Sequence, residues 1–106
     1  MVIVLLRTQI RDDADRAAYE RLGARMEELV RQVPGFISVK DYTADDGESI
    51  TMVCFSSHEA LTEWRNLPEH QEAQRAGKEQ FYASYDIRVC EVVRAYDFNH
   101  ARAALA

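Results

Sequence analysis

Residues Phe36 to Ser56 read F-I-S-V-K-D-Y-T-A-D-D-G-E-S-I-T-M-V-C-F-S. β-Branched and aromatic residues are frequent in two runs, Phe36–Thr43 and Ser49–Ser56, and such runs favour extended chain. Between them Asp45-Asp46-Gly47 marks a turn, because Asp-Gly tolerates the positive φ that a tight hairpin needs. The spacing predicts an antiparallel hairpin in the middle of the chain.

Working outward toward the N-terminus, Pro34-Gly35 stops a helix. Its apolar stripe, Tyr19, Leu22, Met26, Leu29, Val30 and Val33, recurs at steps of three or four residues. Asp12 or Asp13 supplies the N-cap, since a short carboxylate accepts the free amides of a first turn. Val2 to Ile10 is aliphatic and reads as a first strand, with Arg7 and Gln9 on the face of Ile3 and Leu5. Toward the C-terminus, Ser56-Ser57-His58-Glu59 fits a capping box in which Ser56 and Glu59 exchange bonds. A short helix with Ala60, Leu61 and Trp64 follows. Pro68 opens another, because its missing amide costs nothing at a first helical position. That helix runs to about Phe81 and carries His70, Ala73, Gly77 and Phe81 on one face. Tyr85 to Tyr96 alternates and reads as the last strand.

The order β-α-β-β-α-α-β predicts an α+β fold, a ferredoxin-like βαββαβ sandwich with a four-stranded antiparallel sheet. Residues 1–97 form the domain and residues 98–106 an alanine-rich tail. Helices cover one sheet face. The other carries the mixed row Arg88, Cys90, Val92, Arg94 and Tyr96, which is poor solvent surface. A homodimer packed sheet to sheet is therefore expected.

The 106 residues suit one domain, and their 47% hydrophobic and 29% charged content is that of a globular chain. The net charge of -5 is interleaved, with no basic stripe to follow a phosphate backbone, so nucleic acid is not an expected partner. No apolar run reaches membrane-span length, and Met1–Arg7 lacks the basic leader of a signal peptide. Cys54 and Cys90 sit in apolar runs, where cysteine behaves as a small hydrophobe. The expected compartment is the cytoplasm.

The element order, the Val33-Pro34-Gly35-Phe36 joint and the Trp64…His70…Ala73…Tyr85 segment resemble the antibiotic biosynthesis monooxygenase domain over residues 2 to 96. The resemblance implies a small homodimer whose two sheets form a shared β-barrel. It also implies one of several activities. Some members oxidise aromatic polyketide intermediates with dioxygen and neither metal nor flavin. Others cleave haem with a first-strand Asn, a Trp after the third strand and a haem-ligating His. Others act on small quinols or have no known reaction. Trp64 fits the shared Trp. No Asn lies in residues 1–10, and the haem-ligand position falls on Gln74, with His70 one turn earlier. The first reading is therefore a cofactor-independent monooxygenase acting on a small aromatic or quinol. Haem binding or degradation is one alternative, and a non-catalytic dimer holding a small hydrophobic ligand is another.

Such an oxygenase needs a dry slot, a base and donors for a developing oxyanion. His70 is the candidate base, because imidazole exchanges protons near neutral pH. Trp64, Phe55, Phe81 and Tyr82 are candidates to stack on a flat substrate. Arg7 or Tyr42 would hold an anionic oxygen. Plain structural roles compete with each. His70 can bond a backbone carbonyl at the core edge, Trp64 can anchor the core, Arg7 can form an ion pair, and Gly77 can permit close helix packing. His58, His70 and His100 lack metal-ligand spacing. No phosphate loop or nucleophile elbow is present.

Overall fold

In the computed structural model the hairpin loop is closed at Ala44 and Glu48. Ala44 N donates to Glu48 O at 2.8 Å, and Gly47 N donates to Ala44 O at 3.0 Å. Gly47 takes φ +88°, a region open to glycine without strain. Asp45, Asp46 and Gly47 thus make a three-residue loop, the turn-plus-bulge form of hairpin.

The structure describes residues 1–101. The elements are β1 (Val2–Ile10), α1 (Arg16–Val30), β2 (Phe36–Thr43), β3 (Ser49–Phe55), α2 (His58–Asn66), α3 (Pro68–Ala76) and β4 (Tyr82–Glu91). One antiparallel sheet of four strands runs β2-β3-β1-β4, and the fold is ferredoxin-like α+β. Of the expected tail, residues 102–106 lie outside the described residues.

Register settles which side chains share a face. Val2 pairs with Phe55, Val4 with Val53 and Val89, and Leu6 with Thr51 and Ile87. Val2, Val53 and Phe55 join Ala60, Leu61 and Trp64 of α2, and Val30 and Val33, in the buried core. That row therefore faces the helices, and successive strand residues alternate. The opposite, helix-free face carries Ile3, Leu5 and Arg7 of β1, Ile50, Met52 and Cys54 of β3, Lys40 and Tyr42 of β2, and Asp86, Arg88 and Cys90 of β4. Cys54 and Cys90 flank Ile3 on either side and are both free. Two inter-strand spacings, about 9.6 Å, exceed what a disulfide can span.

Several boundaries differ from the sequence reading, each for a local reason. The N-cap of α1 is Asp15, whose Oδ1 accepts from Ala18 N at 3.0 Å. Asp13 is taken by the Arg11 guanidinium at 2.8 and 2.9 Å, so it is not available to the helix. Val33 packs in the core from the loop after α1, not from the helix. The N-cap of α2 is Ser57, which accepts from Ala60 N at 3.2 Å. Ser56 N is held by Gly35 O at 2.8 Å, which keeps Ser56 in line with the strand. Gly35 takes φ +91°, and a Cβ there would lie 2.7 Å from Ser56 Oγ and 2.8 Å from Ala60 Cβ.

The last helix and strand also shift. α3 ends at Ala76 and gives way to a single wide turn, Gly77–Phe81, in which Tyr82 N bonds Gly77 O. β4 then starts at Tyr82, not Tyr85, with a bulge where Gln9 pairs Ser84 and Ile10 pairs Tyr82. It stops at Glu91, not Tyr96, because β1 runs out. The last pairing bond is Val92 N to Met1 O at 3.0 Å.

Candidate functional site

Pro68 starts α3 directly after α2, with Leu67 as the extended joint. This tight corner folds His70 back over the preceding helix. The imidazole stacks on the Trp64 indole with ring centroids 3.8 Å apart and an interplanar angle of 19°. His70 Nδ1 lies 3.1 Å from Trp64 O. A carbonyl only accepts, so Nδ1 carries the proton and Nε2 keeps the basic lone pair. Burial pushes the His70 pKa below its ordinary value, and the bond to the Trp64 carbonyl opposes that shift. At neutral pH the ring is an uncharged imidazole with one fixed nitrogen and one basic nitrogen.

The seven site residues expected from sequence fall into three groups. Trp64 and Phe55 are buried in the main core, and His70 lies half-buried on Trp64. Phe81 and Tyr82 lie beyond the end of α3 and pack around Tyr19 of α1, at 5.5 and 6.0 Å between ring centroids. Tyr85 extends this second cluster at 5.6 Å from Tyr82. Burial, then the neighbouring Tyr19, raises the Tyr82 pKa, so its hydroxyl stays protonated and can only act as a neutral donor or acceptor.

Arg7 and Tyr42 form the third group, on the helix-free face, in one cross-strand row with Ile50 between them. Arg7 Nε and Nη2 donate to the two Glu48 carboxylate oxygens at 3.1 and 3.2 Å, and Nη1 lies 3.4 Å from Asp86 Oδ2. The sheet thus separates Arg7 and Tyr42 from His70, Trp64 and the tyrosine cluster.

Gly77 joins the second group to the helix layer. A Cβ at Gly77 would lie 2.5 Å from Tyr82 Cε2, so the Tyr82 ring fills the space that the missing side chain leaves. Two cavities open elsewhere. One, of about 450 Å3, lies between α1 and the hairpin and is lined by Ile10, Arg16, Tyr19, Glu20, Thr43 and Ser49 among others. The other, of about 270 Å3, is lined by Val2, Ser57, His58, Glu91 and Val92 among others. The larger cavity reaches the tyrosine cluster through Tyr19. Tyr19 and Tyr85 are absent from the sequence-based candidates. The helical stripe marks Tyr19 only as a core residue, and Tyr85 is marked by the alternation of its strand and as the end of the family-like Trp64…Tyr85 segment, without a site role. The signal available was the density of tyrosines, three of the chain's five, in positions 19, 82 and 85.

The His70 ring lies flat on Trp64 with Nδ1 engaged and Nε2 free, and it lines neither cavity. Among the described residues no group of three His, Cys, Asp or Glu is arranged to hold a metal ion. No helix among them is long and apolar enough to cross a membrane.

The first 76 residues match the sequence model of the antibiotic biosynthesis monooxygenase family. Over 76 residues the chain is 37% identical to the uncharacterized protein YqjZ of Bacillus subtilis, spanning 72% of this chain and 67% of that one. Rv0793 from Mycobacterium tuberculosis has a similar structure, with a TM-score of 0.78 at 26% identity, over 91% of this chain and 98% of that one. SnoaB, a cofactor-independent oxygenase from Streptomyces nogalater, shares the fold, with a TM-score of 0.73 at 14% identity, over 89% of this chain and 94% of that one. This chain belongs to the antibiotic biosynthesis monooxygenase family. Its matched segment contains Trp64 and His70, whereas Tyr82, Tyr85 and β4 lie beyond residue 76.

Proposed function

We propose that this chain is a cofactor-independent monooxygenase that oxidises a small phenol or quinol-type aromatic with dioxygen. The observation that carries the reading is His70, a desolvated neutral imidazole with Nδ1 tied to a carbonyl and Nε2 left basic. Family membership supports the same chemistry. The substrate supplies every electron. An activated ring CH2 becomes C=O while dioxygen gives one oxygen to the product and one to water, a four-electron exchange. His70 Nε2 takes the proton that starts it, leaving a delocalised carbanion to reduce dioxygen. A hydrogen-bond donor must also meet the resulting oxyanion, and Tyr82 and Tyr19, packed 6.0 Å apart beyond the end of α3, are the candidates in this proposal.

The acting unit in this proposal is a cytoplasmic homodimer. The helix-free sheet face has an apolar centre of Ile3, Leu5, Ile50 and Met52 and a charged rim of Arg7, Lys40, Asp86 and Arg88, the layout of an interface. On a chain of net charge -5, this rim mixes both signs, which lowers repulsion between two copies. Arg7 and Tyr42 then serve the interface in this reading, and the substrate role passes to the helix side.

Oxygen consumption with naphthols, hydroquinones and anthrones tests the proposal. Uptake by the wild type should fall at least tenfold in His70→Ala, a removal of general-base catalysis. Unchanged uptake in a folded His70→Ala protein would remove the proposed base. Binding without uptake would favour the ligand-carrying alternative. A haemin titration that produces a shifted Soret band, followed by haem loss on adding reductant, would favour the haem alternative.

A further inference from the structure

Helix α3 carries the proposed base, yet little holds it in place. None of its nine residues is buried, whereas α2, of equal length, buries Ala60, Leu61 and Trp64. Its start also lacks a side-chain cap, because Leu67 stands at that position. Arg75 pairs with Glu72 and Glu79, which supports the helix along its own stretch of chain without docking it elsewhere. The placement of His70 therefore depends on contacts of the first turn with α1 and α2. One is the stack of His70 on Trp64 of α2, at 3.8 Å. The other comes from α1. Arg25 Nε donates to Glu69 Oε2 at 2.6 Å, and Nη2 donates to Glu69 Oε1 at 3.1 Å. Two parallel bonds between a planar guanidinium and a carboxylate fix direction as well as distance. Arg25 Nη1 also donates to Glu28 Oε2 at 3.1 Å, so the guanidinium is itself held at a third point.

We propose that Arg25 is a positioning residue for His70, acting through Glu69; this rests on the reading of His70 as the base. Successive helix residues point about 100° apart around the axis. Glu69 and His70 therefore grip two different neighbours, Arg25 of α1 and Trp64 of α2, from one turn. One grip alone leaves the turn free to roll about its axis. Two grips at that angle set its rotation. With the roll fixed, Nδ1 stays 3.1 Å from the Trp64 carbonyl and keeps the proton. Arg25 thus decides which nitrogen is basic without touching the substrate. Both partners of the Arg25–Glu69 pair are about half-exposed, and exposed pairs add little to folding. The effect of Arg25 therefore falls on the geometry of His70, and the fold does not depend on it.

NMR of protein isotope-labelled at histidine tests this, with the His70 signals identified by their loss in His70→Gln. The wild type should show the Nδ1-protonated tautomer at neutral pH, with ring protons shifted upfield by the indole. In Arg25→Gln and Glu69→Gln the nitrogen signals should move toward the tautomer mixture of a free imidazole. The upfield shift should shrink with them, while circular dichroism stays native. Arg25→Lys should restore part of both. Glu28→Gln should leave both as in the wild type, since it breaks only the contact within α1. In oxygen uptake, Arg25→Gln and Glu69→Gln should lose about twofold to fivefold in kcat at unchanged KM, because a base acts on the chemical step. Wild-type His70 signals in a folded Glu69→Gln protein overturn the proposal. So does an equal change in Glu28→Gln. If the wild type takes up no oxygen with any of the aromatics while the His70 signals still move in Glu69→Gln, the oxygenase reading fails and the hold of Arg25 on His70 stands.

Discussion

His70 carries the sharpest residue-scale consequences. Its pKa is depressed by burial, so the unfolded chain binds a proton more readily than the folded one. Its contribution to stability is therefore complete above the unfolded value, about 6.5, and is lost as pH falls through it toward the folded value. Urea midpoints at pH 7.5 and 5.5 should differ more in the wild type than in His70→Gln, which keeps a donor for the Trp64 carbonyl. Equal pH dependence in the two proteins would contradict the assignment. Gly77 offers a second test. Its φ of -57° suits any residue, so only the Tyr82 ring opposes a side chain there. Gly77→Ala should cost about 1–3 kcal/mol by overpacking. The cost should shrink when Tyr82→Leu is added, as read from a chemical-denaturation double-mutant cycle. Both roles at His70, bonded carbonyl and basic nitrogen, were open in the sequence. The carbonyl it meets belongs to Trp64 six positions earlier, and only the corner at Leu67 brings them together.

At the scale of elements, capping distinguishes positions that look equivalent in the sequence. Ser57→Ala should destabilise by about 1 kcal/mol, because Ser57 Oγ satisfies the Ala60 amide. Ser56→Ala should stay within about 0.5 kcal/mol, as an exposed residue away from the cap does. Thermal melts of the two variants check the order, and a larger loss at Ser56 would refute it. The Gly35 turn is held more firmly. Gly35→Ala meets both positive φ and two side chains under 3 Å, and should cost about 1–3 kcal/mol. Strands β1 and β2 and the hairpin were legible because alternation is local and continuous through them. β4 was legible as a strand but not in extent. Its start depends on the wide turn at Gly77 and the bulge opposite Gln9, and its end depends on where β1 begins. None of these is written within the residues of β4 itself.

For the whole molecule the two sheet faces have different roles. The helix face buries Phe55 completely, with Trp64 and Val53 around it, and holds the domain together. Phe55→Ala should therefore cost about 3–5 kcal/mol in urea unfolding. The helix-free face is where a charge should separate assembly from folding. Leu5→Arg places a cation at the centre of the proposed interface, opposite Met52 and Arg88 on the neighbouring strands. Light scattering should then report a 12.2 kDa monomer with native circular dichroism, against about twice that mass for the wild type. A Leu5→Arg protein with the wild-type mass would refute that interface.

Element type, element order and hence the ferredoxin-like fold were determined by the sequence alone. Hydrophobic period, Pro and Gly are properties of neighbouring residues and do not depend on what lies across the molecule. The same pattern fixed Pro68 at the start of α3 and left Trp64 and His70 near one another. Only the tertiary structure decided how the candidate residues divide. Pairing register puts Arg7 and Tyr42 on the face opposite Phe55, and the Gly77 turn gathers Phe81 and Tyr82 onto Tyr19 from another helix. Those relations are set by contacts between residues tens of positions apart. A one-residue change of register would reverse them, and outside the β2–β3 hairpin, where the turn fixes it, the register is set between strands far apart in sequence.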